Sequence, residues 1–232
     1  MLYGGDAAVS VIRDTALERG SRYFALDKSK INNVRCTLFG AKFDYKDRRD
    51  IEISLLGSYQ PQNASLVIEA VDILRDGGLD ISESALREGL SRARWRARFE
   101  ILRTDPTVIF DGAHNPEGID AAVESIARYY GDRKVVVFTG VLRDKDYSYI
   151  AGRLATVASS AYTITPDNPR ALSAVEYADT LRSYGVDATP CESIPEALRL
   201  GIERAGSEGR ALCCLGSLYT YVDVINSLKE IN

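Results

Sequence analysis

Apolar positions along this chain follow two different rhythms, and the change between them falls near residues 91–94. Before it, residues 6–19 carry a helical pattern and residues 21–26 read as a strand. Two further strand-like runs, 35–45 and 50–56, flank Lys46-Asp47-Arg48-Arg49, which has the polarity of a hairpin tip. Residues 57–63 then lead into a long helix with Leu66, Val67, Ala70, Val71 and Leu74 on one stripe, stopped by Gly77-Gly78. Ser82-Glu83-Ser84-Ala85 opens a shorter helix that ends around Leu90.

After the change, strand-like runs at 99–102, 107–110, 134–139, 161–165 and 211–215 alternate with helical segments at 118–130, 146–158, 173–184, 195–205 and 218–230. Such alternation predicts an α/β fold, a mostly parallel Rossmann-like sheet with helices on both faces. The expected division is therefore an α+β segment over 1–92 and a three-layer α/β domain over 93–232. The second has a common domain size, while the first lacks a βαβ series of its own. No internal repeat or low-complexity tract interrupts the pattern.

Composition narrows the function classes. With 232 residues, 45% of them hydrophobic, the chain can bury a proper core. A net charge of −4 argues against a surface built to hold nucleic acid or an anionic membrane. No run of 18 uncharged apolar residues is present, and Met1-Leu2-Tyr3-Gly4-Gly5-Asp6 shows no leader signature. The four cysteines lack C-x-x-C spacing, and adjacent Cys213 and Cys214 would point to opposite faces of a strand, as two small core residues. A reduced, cytoplasmic setting is the expectation.

The chain's one histidine lies in Asp111-Gly112-Ala113-His114-Asn115-Pro116, between the apolar run Val108-Ile109-Phe110 and a helical pattern. Open α/β sheets bind ligands at such strand-to-helix turns, where strand carboxyl ends meet helix N-termini. An Asp-x-x-His pair offers two metal ligands with no third in view, so no metal site is expected. In Arg92-Ala93-Arg94-Trp95-Arg96-Ala97-Arg98 the arginines alternate with apolar residues, so an extended strand would carry all four on one face.

Six strings in order resemble the folylpolyglutamate synthase/dihydrofolate synthase group of the Mur ligase superfamily. They are Leu56-Gly57 with Gln60-Pro61-Gln62-Asn63-Ala64, Trp95 with Arg98-Phe99-Glu100, and the Asp111 to Pro116 loop. Gly140-Val141-Leu142-Arg143-Asp144-Lys145-Asp146, Asp167-Asn168-Pro169-Arg170-Ala171-Leu172 and Gly216-Ser217-Leu218-Tyr219 follow. The resemblance implies an ATP- and Mg2+-dependent ligase that adds glutamate to a folate substrate through an acyl phosphate. Residues 1–92 would be the closing part of its central ATPase domain and 93–232 its C-terminal, glutamate-binding domain. No G-x-x-x-x-G-K-[ST] string occurs, nor the family's Glu-Lys-Ala-Gly-Ile stretch. The chain therefore resembles a C-terminal fragment whose phosphate cradle, and most of the magnesium contacts, belong to an N-terminal portion, and it is expected to show no turnover alone.

By the same resemblance, Asn63, Arg98 and Asp111 are the candidate ATP contacts. His114, Ser217 and Arg170 are the candidate glutamate contacts, Lys145 is a lesser candidate for a phosphate, and no catalytic residue is assigned. Each has a plainer role to set beside it: Asp111 as a turn residue capping amides, Ser217 as a helix N-cap, Asn63 as a polar first-turn residue, Arg170 as an exposed loop cation. Two departures from the family pattern stand out. Tyr59 precedes Gln60 where the family has His, and Arg96-Ala97 replaces Pro-Gly before Arg98, which changes the stiffness of an interdomain hinge. The competing classes are a free-standing α/β binding or regulatory domain, a cell-wall Mur ligase fragment, and a Rossmann oxidoreductase, the last disfavoured because no G-x-G-x-x-G follows a strand.

Overall fold

The computed structural model describes residues 6–231; the stretch 1–5, read above for a leader, lies outside the described residues. The chain divides into two compact units. One holds the described residues up to Arg35, Gly40–Ser54 and Tyr59–Ala93; the other holds Cys36–Phe39, Leu55–Ser58 and the chain from Arg94 onward.

The first unit contains α1 (Asp6–Glu18), a three-stranded sheet in the order β1 (Ile31–Thr37), β2 (Gly40–Tyr45), β3 (Arg48–Ile53), and helices α2 (Gln60–Asp76) and α3 (Glu83–Arg92). Antiparallel β2 and β3 place Phe43 opposite Ile51 and Ala41 opposite Ile53, all buried beneath α2 and α3. The Tyr45 hydroxyl donates to Glu69 on α2 at 2.5 Å, and Arg48 grips Asp72 through two bonds of 3.0 and 2.7 Å.

Three expectations fail in this unit. The expected α2 stripe is not the buried face, since Val67, Ala70 and Leu74 are exposed and Ala64, Ser65 and Ile68 are buried instead. Residues 21–26 form no strand: they are mostly exposed and have no ladder partner, so their aromatic and aliphatic content has nothing to pair with. The run 35–45 is two strands, broken by a turn at Leu38-Phe39. Gly40 follows that turn with φ +134°, and a Cβ there would lie 2.2 Å from the Ile53 carbonyl oxygen, so only glycine lets β2 approach β3.

The second unit carries a six-stranded sheet in the order β4-β5-β9-β6-β7-β8, with β4 (Glu100–Thr104), β5 (Thr107–Phe110), β6 (Val135–Thr139), β7 (Ala158–Thr163), β8 (Asp187–Pro190) and β9 (Leu212–Leu215). All neighbours run parallel except β4, which is antiparallel to β5. Every residue of β6 and β9 is buried, as central strands covered on both faces require. Helices α4 (Pro116–Tyr130), α5 (Tyr147–Ala155) and α6 (Ala174–Ser183) bring Ile119, Ile126, Ile150, Leu154 and Leu181 onto the face that holds Val135, Val137 and Cys213. Helices α7 (Ile194–Glu208) and α8 (Tyr221–Glu230) cover the other face, where Leu198, Ile202 and Val224 meet Val136, Phe138 and Cys214. Each fully buried aliphatic side chain contributes about 1.5–3 kcal/mol.

Four differences from expectation concern this unit. Arg92 ends α3, residues 93–95 have no regular structure and 96–99 form a turn and a bend rather than an extended strand, so Arg92, Arg94, Arg96 and Arg98 share no sheet face. Strand β7 starts at Ala158, inside the expected 146–158 helix, and residues 218–220 form a 3-10 turn ahead of α8. Edge strand β8 was not foreseen, because its four residues include a single buried one, Ala188. No described helix is long and apolar enough to cross a membrane.

Candidate functional site

Chain order and sheet order disagree at one place. The chain leaves β5 through α4 to β6, builds outward through β7 and β8, and returns to insert β9 between β5 and β6. Loops following β5, β6 and β9 therefore diverge from a common point at the carboxyl edge of the sheet, which leaves a crevice. A cavity of about 390 Å³ occupies it, lined by His114, Leu142, Lys145, Arg170, Gly216, Ser217, Leu218 and Tyr219.

Backbone bonds between the loops fix its walls. The Gly216 amide donates to the Ala113 carbonyl at 2.9 Å, Arg143 to Arg170 at 2.7 Å and Leu172 to Val141 at 3.0 Å. Gly216 has φ +103°, and a Cβ there would lie 2.7 Å from Thr139 Oγ1 and 2.9 Å from the Gly140 carbonyl oxygen, so a side chain would push the β9 loop off β6. Asn115 caps α4 by accepting from the Gly118 amide at 2.9 Å, with Pro116 at the first helical position, which holds His114 at the lip of the cavity.

His114 Nδ1 lies 2.8 Å from the Gly112 carbonyl oxygen. A carbonyl only accepts, so Nδ1 carries a proton and donates it to this bond. Arg170 pairs with Asp144 at 2.7 Å, both partly exposed, and its loop is turned by the Asn168 side chain accepting from the Arg170 amide at 2.9 Å. The Lys145 ammonium makes no ion pair among the described residues. Ser217 is buried, and its hydroxyl oxygen accepts from the Tyr219 amide at 3.2 Å as the cap of the 3-10 turn. The lining thus carries Lys145, Arg170 already paired with Asp144, an imidazole and a buried hydroxyl, and no carboxylate lines the cavity itself.

Asp111 and Arg98 lie beside this cavity, not in its lining. Asp111 is buried; one carboxylate oxygen accepts from the Phe99 amide and the other from the Ala113 amide, each at 2.8 Å. The Arg98 guanidinium stacks over the Trp95 ring at 5.7 Å and makes no ion pair or hydrogen bond among the described residues. Its Nη1 comes within 3.5 Å of where a Gly112 Cβ would stand, and Leu218 reaches the same spot from the cavity side. Behind them, the Tyr221 hydroxyl donates to Glu100 at 2.8 Å; burial and then that carboxylate push its phenol up to about 12.

Asn63 belongs to the first unit. It stands in the first turn of α2, where its amide donates to Gln60 Oε1 at 3.1 Å while its buried Oδ1 has no hydrogen-bond partner. Such an open acceptor inside a protein is uncommon.

Of the seven residues singled out from sequence, the structure gathers His114, Lys145, Arg170 and Ser217 in one cavity, puts Arg98 and Asp111 beside it, and leaves Asn63 in the other unit. Sequence reasoning missed Leu142, Leu218 and Tyr219 as walls and Asp144 as the partner of Arg170. The first three stand inside strings already singled out, but an apolar side chain in a loop carries no chemical signal of its own. No group of three or more His, Cys, Asp or Glu side chains that could hold a metal ion occurs among the described residues.

Comparison with known proteins places this geometry. The chain is 32% identical over 232 residues to a dihydrofolate synthase/folylpolyglutamate synthase of Bacillus subtilis, covering 96% of this chain and 52% of that protein. It is 31% identical over 177 residues to the folylpolyglutamate synthase of Lacticaseibacillus casei, covering 73% of this chain and 41% of that one. Among solved structures, a Thermotoga maritima folylpolyglutamate synthase superposes with a TM-score of 0.76 at 27% identity, covering 99% of this chain and 54% of that chain. A Mycobacterium tuberculosis folylpolyglutamate synthase complexed with ADP and AMPPCP shares the fold, with a TM-score of 0.82 at 22% identity over 98% of this chain and 53% of that one. The chain spans about half the length of these relatives. The family described as the Mur ligase glutamate ligase domain matches residues 97–218, just over half of the 232 and a span that holds every cavity-lining residue but Tyr219, and the chain belongs to that family.

Proposed function

We propose that this chain is the glutamate-holding part of an ATP-dependent ligase that joins glutamate to a folate, with residues 1–92 closing its central ATPase domain and 93–232 forming its glutamate-binding domain. The observation that carries this reading is the convergence of His114, Lys145, Arg170 and Ser217 on one cavity with no carboxylate in its lining. A dicarboxylic amino acid needs such a place, because each of its carboxylates gains from a charge-assisted bond.

Within that reading the side chains divide their work. Arg170 and Lys145 hold the two carboxylates of glutamate, and the Ser217 hydroxyl donates to one of them. In the neutral ring, His114 Nε2 accepts from the incoming amine and turns its lone pair toward the acyl carbon, while Nδ1 stays bonded to Gly112. Nitrogen attack on an acyl phosphate forms the amide bond, breaks the carbon–oxygen bond to phosphate and releases phosphate and a proton. ATP, as co-substrate, supplies the phosphoryl group that makes the acid reactive.

The residues present fit part of a nucleotide. Taken each within its own unit, Arg98, stacked and uncompensated, suits phosphate oxygens, and Asn63, whose buried Oδ1 lacks a hydrogen-bond partner, suits a donor such as an adenine amino group. Asp111, with both carboxylate oxygens engaged by amides, would support the nucleotide contact by fixing residues 97–99. No cluster of three or more His, Cys, Asp or Glu side chains that could hold magnesium occurs among the described residues, and in this reading the ion is held mainly by an N-terminal portion of the enzyme. A P-loop portion of the same enzyme would supply the phosphate cradle, and the four free thiols suit a reducing cytoplasm. The test is reconstitution: the chain alone should give no ATP-dependent ligation of glutamate to a folate, and a P-loop portion of a relative added in trans should restore it. Turnover by the chain alone, or no turnover with any such portion, would overturn the reading.

A further inference from the structure

Two loops at the rim of the cavity clasp each other. The loop after β6 and the loop after β7 meet in a short antiparallel bridge between Leu142 and Ala171. There the Arg143 amide donates to the Arg170 carbonyl at 2.7 Å and the Leu172 amide to the Val141 carbonyl at 3.0 Å. Two ion pairs cross the clasp, Arg143 with Glu176 on α6 and Asp144 with Arg170. Arg170 lines the cavity, whereas Arg143, Asp144 and Glu176 do not.

The two pairs are built differently. Arg143 closes a fork on Glu176, Nη1 to one carboxylate oxygen at 3.0 Å and Nη2 to the other at 2.8 Å. A guanidinium grips a carboxylate in this two-bond manner, so that fork is already occupied. Arg170 gives Asp144 a single bond, Nη1 to Oδ2 at 2.7 Å, and its guanidinium makes no other hydrogen bond among the described residues. One of its five N–H donors is engaged and four are free, so the edge formed by Nε and Nη2 stays open for a second carboxylate. A carboxylate competing with substrate would take that edge; Asp144 leaves it alone.

Asp144 has no other local duty. Helix α5 is capped by Asp146, and the Arg170 loop is turned by Asn168. Both members of the Asp144–Arg170 pair are about half exposed, so the pair adds little to folding stability. Its effect falls on orientation. An arginine side chain has many rotamers, and ordering it when a ligand arrives weakens binding unless it is ordered beforehand.

We infer that Asp144 is a positioning residue, whose single bond holds the Arg170 guanidinium at the cavity with its Nε–Nη2 edge open to the substrate carboxylate. This rests on the reading of the cavity as a glutamate site. Calorimetric titration of the chain with glutamate tests it in Asp144→Ala, Asp144→Asn, Arg170→Ala and the Asp144→Ala/Arg170→Ala double variant. Asp144→Ala should bind about three- to tenfold more weakly with an unchanged unfolding midpoint. Asp144→Asn, whose amide oxygen still accepts from Nη1, should recover most of that loss, and in the Arg170→Ala background the Asp144 change should have no effect. An Asp144 that merely repels glutamate would instead give tighter binding in both single variants. That result, unchanged affinity in Asp144→Ala, an asparagine variant as weak as alanine, or the same loss without Arg170 would overturn the inference. The glutamate reading would survive any of these if Arg170→Ala weakens binding. No binding of glutamate by the unaltered chain would overturn both.

Discussion

Ala97 and Phe99 adopt left-handed backbone, φ +58° and +45°, where the chain turns from α3 toward β4. A bulky residue there costs about 1–2 kcal/mol, so something must hold it. Asp111 does, accepting from the Phe99 amide with one oxygen and from the Ala113 amide with the other. Asp111→Ala should therefore lower stability by about 2–4 kcal/mol, since two buried amides lose their acceptor, and Asp111→Asn should lose less. Denaturant unfolding followed by circular dichroism measures this, and an unchanged midpoint for the alanine variant would contradict the bracing role. Sequence pointed to Asp111 because it ends a strand before a polar loop. It could not show the bond to Phe99, twelve residues earlier, because that depends on the antiparallel pairing of β4 with β5.

Among the elements, those with a strong amphipathic period were the legible ones. The α4 stripe of Ile119, Val123 and Ile126, with Asn115 and Pro116 ahead of it, announces both its start and its buried face. Asn115→Ala should remove about 1 kcal/mol through the lost cap, and because the cap holds the His114 loop it should also weaken ligand binding at the cavity. Equal affinity for glutamate in a destabilised variant would separate the two effects and contradict the second. Legibility failed where local pattern and tertiary partner disagree. Residues 21–26 have strand-like content and no neighbouring strand, the alternating arginines before Phe99 run through turns, and β8 shows almost no apolar signal because it lies at the sheet edge. A pattern predicts a face only when a second surface exists to bury it.

For the molecule as a whole, alternation of strand and helix gave the layered sheet, and the adjacent cysteines gave its two faces. Cys213 packs under α4, α5 and α6, and Cys214 under α7 and α8. Burial pushes the Cys191 thiol up to about 11 and Cys213 up to about 12, with Cys214 well above its ordinary value, so these three stay protonated and inert. Cys36, partly exposed, should be the one thiol that maleimide modifies in the native chain, read by peptide mass spectrometry. Rapid modification of Cys213 or Cys214 would show that the sheet opens readily. The strand insertion that makes the crevice was not legible, because β9 joins its neighbours across most of the domain's length, and no local pattern encodes which gap a strand fills.

The central claim is that loops from β5, β6, β7 and β9 make one cavity that takes a dicarboxylic amino acid. Calorimetric titration of the chain with glutamate, beside Arg170→Ala, His114→Ala and Ser217→Ala, tests it most directly. The account predicts measurable binding that each variant weakens, by about tenfold or more for Arg170→Ala, where a charge-assisted bond is lost. Undiminished affinity in all three variants, or equal affinity for a monocarboxylic amino acid such as alanine, would contradict it.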